Sequence, residues 1–360
     1  MNRRFLIASG GTGGHFYPGF ALGKQLRKQG MQVLFIVRKN DPAAQILETH
    51  KLRYQEIDFT GLPRSVNPFR HLRFMGKLFK SLHQTRQIIK KFRPEVAIGT
   101  GGYISFPLIF MAHFMGIKTA VHDSNARLGL SNKICGKFAD LFMLGLPVDK
   151  KIKNSVLTST PIRKEFTYPA DRTALLEGLG LDATKKTVLV VGGSQGAKGL
   201  NAAVVKAVKK FNSWQFIHIT GDRWYGIMRE EYSGLKNVAV LPYSHEIYAL
   251  MKVVDLAVCR SGASTLAELI YCRVPSVLVP FPHATADHQY YNAKILADAG
   301  CAKVVREDKD LERNLLGVLS GLVQRRGNGR LAAMHRAYRR LKIPNPITSA
   351  KKIADILRKL

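Results

Sequence analysis

Short apolar runs alternate with amphipathic segments along almost the whole chain. Runs at residues 4–8, 32–37, 96–98, 118–121 and 141–144 read as strands. A second set falls at 187–191, 216–219, 238–241, 256–258, 276–279 and 302–305. Between them, segments such as 18–28, 201–211 and 288–299 place apolar residues at helical spacing. This alternation predicts an α/β protein built on parallel sheets. Periodicity lapses around Thr160-Pro161-Ile162-Arg163, so a hinge is expected near residues 158–168. The expected domains are 1–160 and 161–345, with a helix at 346–360 that is a candidate for packing back on the first. No low-complexity tract or short-period repeat interrupts the pattern.

Three strand-like runs feed glycine clusters. They are Gly10-Gly11-Thr12-Gly13-Gly14-His15, Gly99-Thr100-Gly101-Gly102-Tyr103 and Gly192-Gly193-Ser194-Gln195-Gly196-Ala197. A strand that enters a glycine turn and then a helix aims backbone N–H groups and a positive helix end at one point. The expectation is two α/β halves facing a shared cleft that takes an anionic ligand. A dinucleotide fingerprint is disfavoured. Its sixth position is Phe16 or Ile104 rather than glycine, and the second strand ends in Val37-Arg38-Lys39 rather than an acid. A Walker A loop is disfavoured because Lys198 is followed by Gly199.

Composition changes the picture through charge. The 360 residues hold 56 Lys+Arg against 25 Asp+Glu, a net +31. Residues 1–155 carry 25 basic and 8 acidic side chains, so +17 lies there and +14 in the rest. Both halves are basic, which points to phosphate-rich substrates, an anionic membrane surface or nucleic acid. Nucleic acid is disfavoured, because no RNP, KH, zinc-finger or helix-turn-helix signature is present. Cys135, Cys259, Cys272 and Cys301 have no paired spacing and read as buried residues in a reducing compartment. The start of the chain lacks the apolar core of a signal peptide, and its most apolar stretch, 103–117, is too short to span a bilayer. A cytosolic or peripheral membrane protein is expected.

Several segments carry candidate chemistry. Arg260-Ser261-Gly262-Ala263-Ser264-Thr265-Leu266-Ala267-Glu268 follows a strand and opens a helix with small residues. These let a diphosphate approach the helix N-terminus. Glu268, about one turn further in, is placed to accept hydrogen bonds from two ribose hydroxyls. A first-turn acid supporting its own helix is the plainer alternative. Asp287-His288-Gln289-Tyr290-Tyr291-Asn292 opens another helix, and its amides suit sugar hydroxyls; an N-cap on Asp287 is the alternative. His122-Asp123-Ser124-Asn125 follows the run at 118–121, at a strand end where open α/β sheets bind ligands. His15 and His122 are each a candidate base or a structural residue. The only Asp-x-Asp, Asp308-Lys309-Asp310, precedes a helical run and reads as capping rather than as a metal site.

Taken in order, GGTGGH at 10–15, GTGGY at 99–103, NARLGLSN at 125–132, TPIR at 160–163, VVGGSQGA at 190–197, CRSGASTLAE at 259–268 and DHQYYNA at 287–293 resemble one family. It is the MurG-type peptidoglycan N-acetylglucosaminyltransferases, which make lipid II from lipid I. The resemblance implies a GT-B fold, two Rossmann-like domains around a cleft. It implies inverting, metal-independent transfer of GlcNAc from UDP-GlcNAc to the 4-hydroxyl of a lipid-linked MurNAc-pentapeptide, with no cofactor. The enzyme would work peripherally at the cytoplasmic face of the cell membrane, in the company of other cell-wall synthesis proteins. By motif, Thr12, Gly13 and Gly14 would line the donor–acceptor junction, with His15 the candidate base. Gly101, Gly102, Tyr103 and His122 would lie on the acceptor side, and Asn125 would touch the donor sugar. Arg163 and Ser194 would contact nucleotide and diphosphate. Ala263, Ser264, Thr265, Leu266 and Ala267 would hold the phosphates and Glu268 the ribose. His288 and Gln289 would face the sugar, and Ser244 would bind uracil through its main chain. The chain departs from the family at His122-Asp123-Ser124-Asn125, usually H-E-Q-N, and at Pro242-Tyr243-Ser244-His245-Glu246-Ile247. A related GT-B enzyme using another lipid acceptor, such as diacylglycerol, would carry the same donor motifs.

Residues 59–94 contain no Asp or Glu, but hold Arg64, Arg70, Arg73, Lys77, Lys80, Arg86, Lys90, Lys91 and Arg93. Leu72, Met75, Phe79 and Leu82 fall on one helix face among them. The combination suits a helix lying on an anionic bilayer. The alternative is a helix that packs this stripe on its own domain.

Overall fold

The computed structural model describes residues 3–11, 13–61, 63, 67–193, 196–323 and 327–360. The chain divides into two compact units, Met1–Ile162 with Ile343–Leu360, and Arg163–Lys342.

The first unit runs β1 (Arg4–Ala8), α1 (Gly13–Lys28), β2 (Gln32–Arg38), α2 (Ala43–Thr49), β3 (Tyr54–Ile57), α3 (Pro68–Phe92), β4 (Val96–Gly99), α4 (Ser105–Phe114), β5 (Lys118–Asp123), α5 (Leu130–Cys135), β6 (Leu141–Leu144) and β7 (Ser155–Leu157). Its strands form one parallel sheet in the order β3-β2-β1-β4-β5-β6-β7. The second runs α6 (Arg172–Gly178), β8 (Lys186–Val191), α7 (Lys198–Lys210), β9 (Trp214–Ile219), α8 (Asp222–Glu231), β10 (Val238–Leu241), α9 (Ile247–Val253), β11 (Leu256–Cys259), α10 (Ala263–Cys272), β12 (Ser276–Leu278), α11 (His288–Asp298), β13 (Ala302–Val304), α12 (Leu311–Val323) and α13 (Gly327–Ala337). Its parallel sheet has the order β10-β9-β8-β11-β12-β13. Both units are thus doubly wound, Rossmann-like α/β layers.

The central strands carry apolar residues toward both faces because helices cover both. In the first unit Phe5, Ile7, Phe35 and Val37 pack under α1, while Leu6, Ala8, Ile36 and Ala97 pack toward α3 and α4. The last helix, α14 (Pro346–Leu357), starts on an Asn345 cap and packs Ile353, Ala354 and Leu357 into the α1 side of this core. Gly23 of α1 faces the Phe35 ring so closely that a Cβ would overlap it. In the second unit the α7 face Leu200, Val204 and Val208 meets Val188, Val190 and Phe216. A buried network fixes α7 to β9. Burial pushes the His218 ring down to about 3, so it is neutral. Its nitrogens lie 2.9 Å from the Tyr232 hydroxyl and 3.2 Å from Asn201 Oδ1.

The strands begin or end within two residues of the predicted positions, but β3 and β7 were not foreseen. Both lie on the outer part of the first sheet and carry little apolar pattern. Helix α3 removes one alternative. Most of its stripe does not pack on its own unit: Leu72, Met75 and Phe79 are exposed and Leu82 is half-buried, while Phe74, Leu78 and Ile89 face the core. Lys77 and Lys80 are also not free cations. Asp58, just before the acid-free tract, holds them at 3.3 and 3.6 Å. Arg64 lies outside the described residues.

Because Leu357 is fully buried against α1, Leu357→Ala should destabilise the first unit by roughly 2–5 kcal/mol. Amide exchange should speed up in β1 and β2 and stay unchanged in β8 to β11. Equal exchange in both units of the variant would contradict this packing role.

Candidate functional site

Each sheet reverses its strand order at one place. In the first it is between β1 and β4, in the second between β8 and β11. Ligands of doubly wound sheets bind beyond the strand C-termini at such switch points. The first two glycine clusters leave β1 and β4, and the third cluster and Arg260–Glu268 leave β8 and β11. Topology therefore gathers these motifs into one locus per unit.

In the first unit the two glycine loops touch. The His15 ring lies against Gly101 and Gly102: a Cβ at 101 would stand 2.5 Å from its Cδ2, and one at 102 would stand 3.5 Å from its Nδ1. Both glycines have positive φ, 104° and 71°. Thr100 Oγ1 donates to the His15 carbonyl at 2.9 Å, and Ser9 Oγ donates to the Phe16 carbonyl at 3.1 Å. These bonds seat the start of α1 on the strand ends. Asp41, buried just after β2, accepts from Gly11 N at 2.9 Å and Ala43 N at 3.1 Å. Sequence reading missed it. Its only signal is an acid shortly after the second strand, where a dinucleotide fold would engage ribose; here it holds the glycine loop. Gly13 and Gly14 stand in the first turn of α1, and Tyr103 is partly exposed beside Gly61. Thr12 lies outside the described residues.

The His122-Asp123-Ser124-Asn125 segment divides by role. His122 and Asp123 end β5 rather than following it. His122 is 1% exposed and its Nε2 meets the Ser159 carbonyl at 3.2 Å. Burial lowers its pKa, so the ring stays neutral. This corrects the acceptor-side expectation: so enclosed a ring does not reach a substrate directly. Asp123 organises the next loop, accepting from Asn125 N at 2.9 Å, Gly129 N at 3.0 Å and Asn132 Nδ2 at 3.0 Å. Asn125 is thereby fixed in place.

In the second unit the loop after β8 needs its glycines. A Cβ at Gly192 would stand 2.6 Å from Ala197 N, and one at Gly196 would overlap the Thr220 carbonyl. Ser194 lies outside the described residues. Helix α10 starts at Ala263 with no side-chain cap on Gly262. The hydroxyls of Ser261 and Ser264 are buried beside this helix start with no hydrogen-bond partner. Leu266 and Ala267 correct a motif expectation. Their side chains are buried and Leu266 N donates to Gly262 O at 3.0 Å, so Ala263, Ser264 and Thr265 present the first-turn N–H groups.

Glu268 sits in the second turn of α10, which removes the first-turn alternative. Burial pushes its carboxyl from 4.5 up to about 7, and the Arg163 guanidinium offsets part of that. The fold thus brings Arg163 within electrostatic reach of a residue 105 positions later. Gln289 Oε1 accepts from Phe281 N at 3.0 Å, and His288 Nδ1 lies 3.0 Å from the Thr285 carbonyl. The Asp287 N-cap alternative fails: its side chain makes no cap bond and pairs with Arg306 at 2.9 Å. Ser244, past the edge strand β10, uses its hydroxyl on Glu246 N at 3.1 Å. Asp308 accepts from Asp310 N at 2.9 Å and Asp310 pairs with Arg313 at 3.2 Å, a local arrangement at the start of α12.

Comparison with known proteins identifies the family and the fold. Residues 5–143 match the glycosyltransferase family 28 N-terminal domain and residues 187–353 its C-terminal domain. The UDP-N-acetylglucosamine--N-acetylmuramyl-(pentapeptide) pyrophosphoryl-undecaprenol N-acetylglucosamine transferase of Elusimicrobium minutum is 50% identical over 99% of this chain and 100% of its own. The enzyme of the same name from Natranaerobius thermophilus is 33% identical, over 98% and 100%. The crystal structure of Acinetobacter baumannii MurG matches with a TM-score of 0.82 at 26% identity, over 99% and 100%. The calicheamicin glycosyltransferase CalG4, at 13% identity and a TM-score of 0.72 over 99% and 98%, shares the fold alone. The chain is therefore a glycosyltransferase of GT-B fold that belongs to family 28, among the UDP-N-acetylglucosamine--N-acetylmuramyl-(pentapeptide) pyrophosphoryl-undecaprenol N-acetylglucosamine transferases.

Proposed function

We propose that this chain transfers GlcNAc from UDP-GlcNAc to the 4-hydroxyl of MurNAc-pentapeptide on undecaprenyl diphosphate, with inversion and without a metal. The observation that carries the reading is the 50% identity to a full-length relative of that name. The placement of the motifs at both switch points supports it. In this reading the second unit, 161–345, binds the donor. The α10 N-terminus faces the diphosphate, where its first-turn N–H groups and the macrodipole meet the charge. Glu268 accepts from the ribose, Arg163 and Ser194 contact nucleotide and phosphate, the Ser244 main chain binds uracil, and His288 and Gln289 face the sugar. The first unit, 1–160 with the helix at 346–360, carries the acceptor through Gly13, Gly14, Gly101, Gly102 and Tyr103.

The chemistry needs few groups. His15, held against Gly101 and Gly102, takes the proton of the 4-hydroxyl as that oxygen attacks the anomeric carbon. The bond to UDP breaks on the opposite face, and the diphosphate leaves with the electron pair. Fixed donors aimed at the developing charge stabilise this step without reorganising. Asn125 steadies the donor sugar.

The acceptor's lipid brings the enzyme to a membrane. No helix among the described residues is long and apolar enough to cross one. Contact would instead use the exposed Phe69, Leu72, Met75 and Phe79 of α3 with Arg70 and Arg73 beside them. Phe114 of α4 and Leu130 of α5 are also exposed. The site of action would be the cytoplasmic face of the cell membrane, beside other cell-wall synthesis proteins.

Incubated with UDP-GlcNAc and lipid I, the protein should release UDP at a rate unaffected by EDTA, and diacylglycerol should not replace lipid I. Turnover lost to EDTA and restored by Mg²⁺, or turnover with diacylglycerol alone, would reject the reading.

Glu268→Ala should weaken UDP binding by roughly 1–3 kcal/mol in calorimetry. UDP affinity should rise from pH 6 to pH 8, because the carboxyl ionises at about 7 and the charged form is the better acceptor. Glu268→Gln should remove that rise and leave only the nucleotide's own titration. The sign for stability is opposite. The raised folded value favours the neutral form, so Glu268 supports folding most below 4.5, and that support is lost as pH rises through about 7.

Vesicles of anionic lipid should bind the protein in a salt-sensitive way, each basic residue near the surface contributing ~1 kcal/mol. Arg70→Glu with Arg73→Glu should release it while UDP affinity is kept. Equal vesicle binding by the variant would remove α3 as the contact.

A further inference from the structure

Two consecutive residues outside every motif, Arg306 and Glu307, touch the segments at 260–268 and 287–292 and the first turn of the helix that follows the 192–197 loop. They follow β13. Arg306 pairs with Asp287 at 2.9 Å, and its guanidinium carbon lies 3.7 Å from the centre of the Tyr290 ring. Ala286 and Asp287 both hold a left-handed φ of 54°, which is costly for residues other than glycine. The ion pair and the stacked ring secure that bend, and they also anchor the backbone from which Glu307 projects.

Glu307 engages the other two segments. Its carboxylate forms an ion pair with Arg260, the residue that opens the Ser261–Glu268 segment. Arg260 in turn donates to the Val279 and Pro280 carbonyls at 3.2 and 3.3 Å, and its guanidinium lies 5.6 Å from the centre of the Phe281 ring. The pair is secluded, with side-chain exposures of 11% for Arg260 and 18% for Glu307. Removing one partner would leave the other charge poorly solvated. The other carboxylate oxygen of Glu307 lies over Gly199, in the first turn of α7. A Cβ there would overlap it. Helix α7 has no side-chain cap at Ala197, so a carboxylate over its first turn is favourably placed against the helix dipole. One side chain therefore ties the helix that leaves the 192–197 loop to the residue that opens the 260–265 loop.

We propose that Glu307 is a positioning residue for the diphosphate of the donor: by bridging Gly199 and Arg260 it sets the spacing between the two loops that flank the β8/β11 switch point. The inference rests on the reading of the second unit as the donor side. Glu307 touches no phosphate itself. It acts through Arg260 and through the first turn of α7, and nothing in its arrangement bears on the uridine end.

The test compares UDP with uridine, which lacks the diphosphate, by calorimetry on the full chain. Glu307→Gln keeps the shape and removes the charge. Gly199→Ala keeps both charges and displaces the carboxylate, because its methyl meets the flexible end of Glu307. Each variant should raise the Kd of UDP about tenfold, and the double variant should be no worse than either single one, as expected when both break one interaction. Uridine affinity, read by competition with UDP, should not change. Unchanged or tighter UDP binding in the folded variants overturns the proposal; tighter binding would mark Arg260 as a phosphate ligand that Glu307 restrains. An equal loss for uridine and UDP also overturns it, since that is the signature of general loosening. If Glu307→Gln does not fold, Gly199→Ala alone decides. A wild-type protein that binds no UDP would instead remove the donor reading, and the inference with it.

Discussion

Close backbone approach where each sheet reverses its strand order is the constraint on which the molecule depends. A helix end can deliver N–H groups and positive potential only if it comes down onto the strand termini. In the first unit that descent places Gly19 of α1 where a Cβ would overlap Ser9 Oγ and stand 3.0 Å from Thr100 Oγ1. It places Gly99 against Ser105 and Gly101 against the His15 ring. In the second unit, Gly192 meets the backbone of Ala197 and Gly196 meets the Thr220 carbonyl. A side chain at these points would have to displace a neighbouring side chain or backbone segment. The glycines are thus first a packing requirement, and the ligand locus follows from it.

Acidic residues are scarce in this +31 chain, and several of them hold the framework. Asp41 ties the first glycine loop, and Asp123 ties the loop that ends at α5. Asp255 lies 3.3 Å from Arg172 and 2.6 Å from Lys186, pinning the start of β8. Asp58 holds Lys77 and Lys80, and Glu307 holds Arg260. The 56 basic residues outnumber the 25 acids by 31, so the chain carries a strong net positive charge. A basic surface of this kind favours anionic ligands and anionic membranes through long-range attraction.

Much of the fold was legible along the chain, for a simple reason. Central strands of a parallel sheet are buried on both faces, so they read as continuous apolar runs, as at Phe5–Ala8 within β1 and Val188–Val190 within β8. Outer strands lack that signal. Tyr54–Ile57 is only four residues long and buries Ile57 alone, and Ser155–Leu157 is too short to show a period. The motifs at 10–15, 99–103 and 259–268 were visible because glycine and small residues cluster there. The direction of a side chain was not visible. His122 looked available for chemistry, yet it is enclosed and meets Ser159.

The sequence alone determined where the central strands and the helices between them lie, which turns demand glycine, and that the chain matches family 28 in both halves, because each of these depends on local pattern and residue order. Tertiary structure decided which residues meet. Asp41 reaches Gly11 across 30 positions, Arg163 is set near Glu268, and Glu307 comes to both Gly199 and Arg260. It also decided that α14 joins the core of the first unit and that the α3 stripe faces outward. Partner choice depends on the order in which strands enter the sheet, and burial sets the charge that a partner then feels. Neither quantity is written in the spacing of residues along one chain.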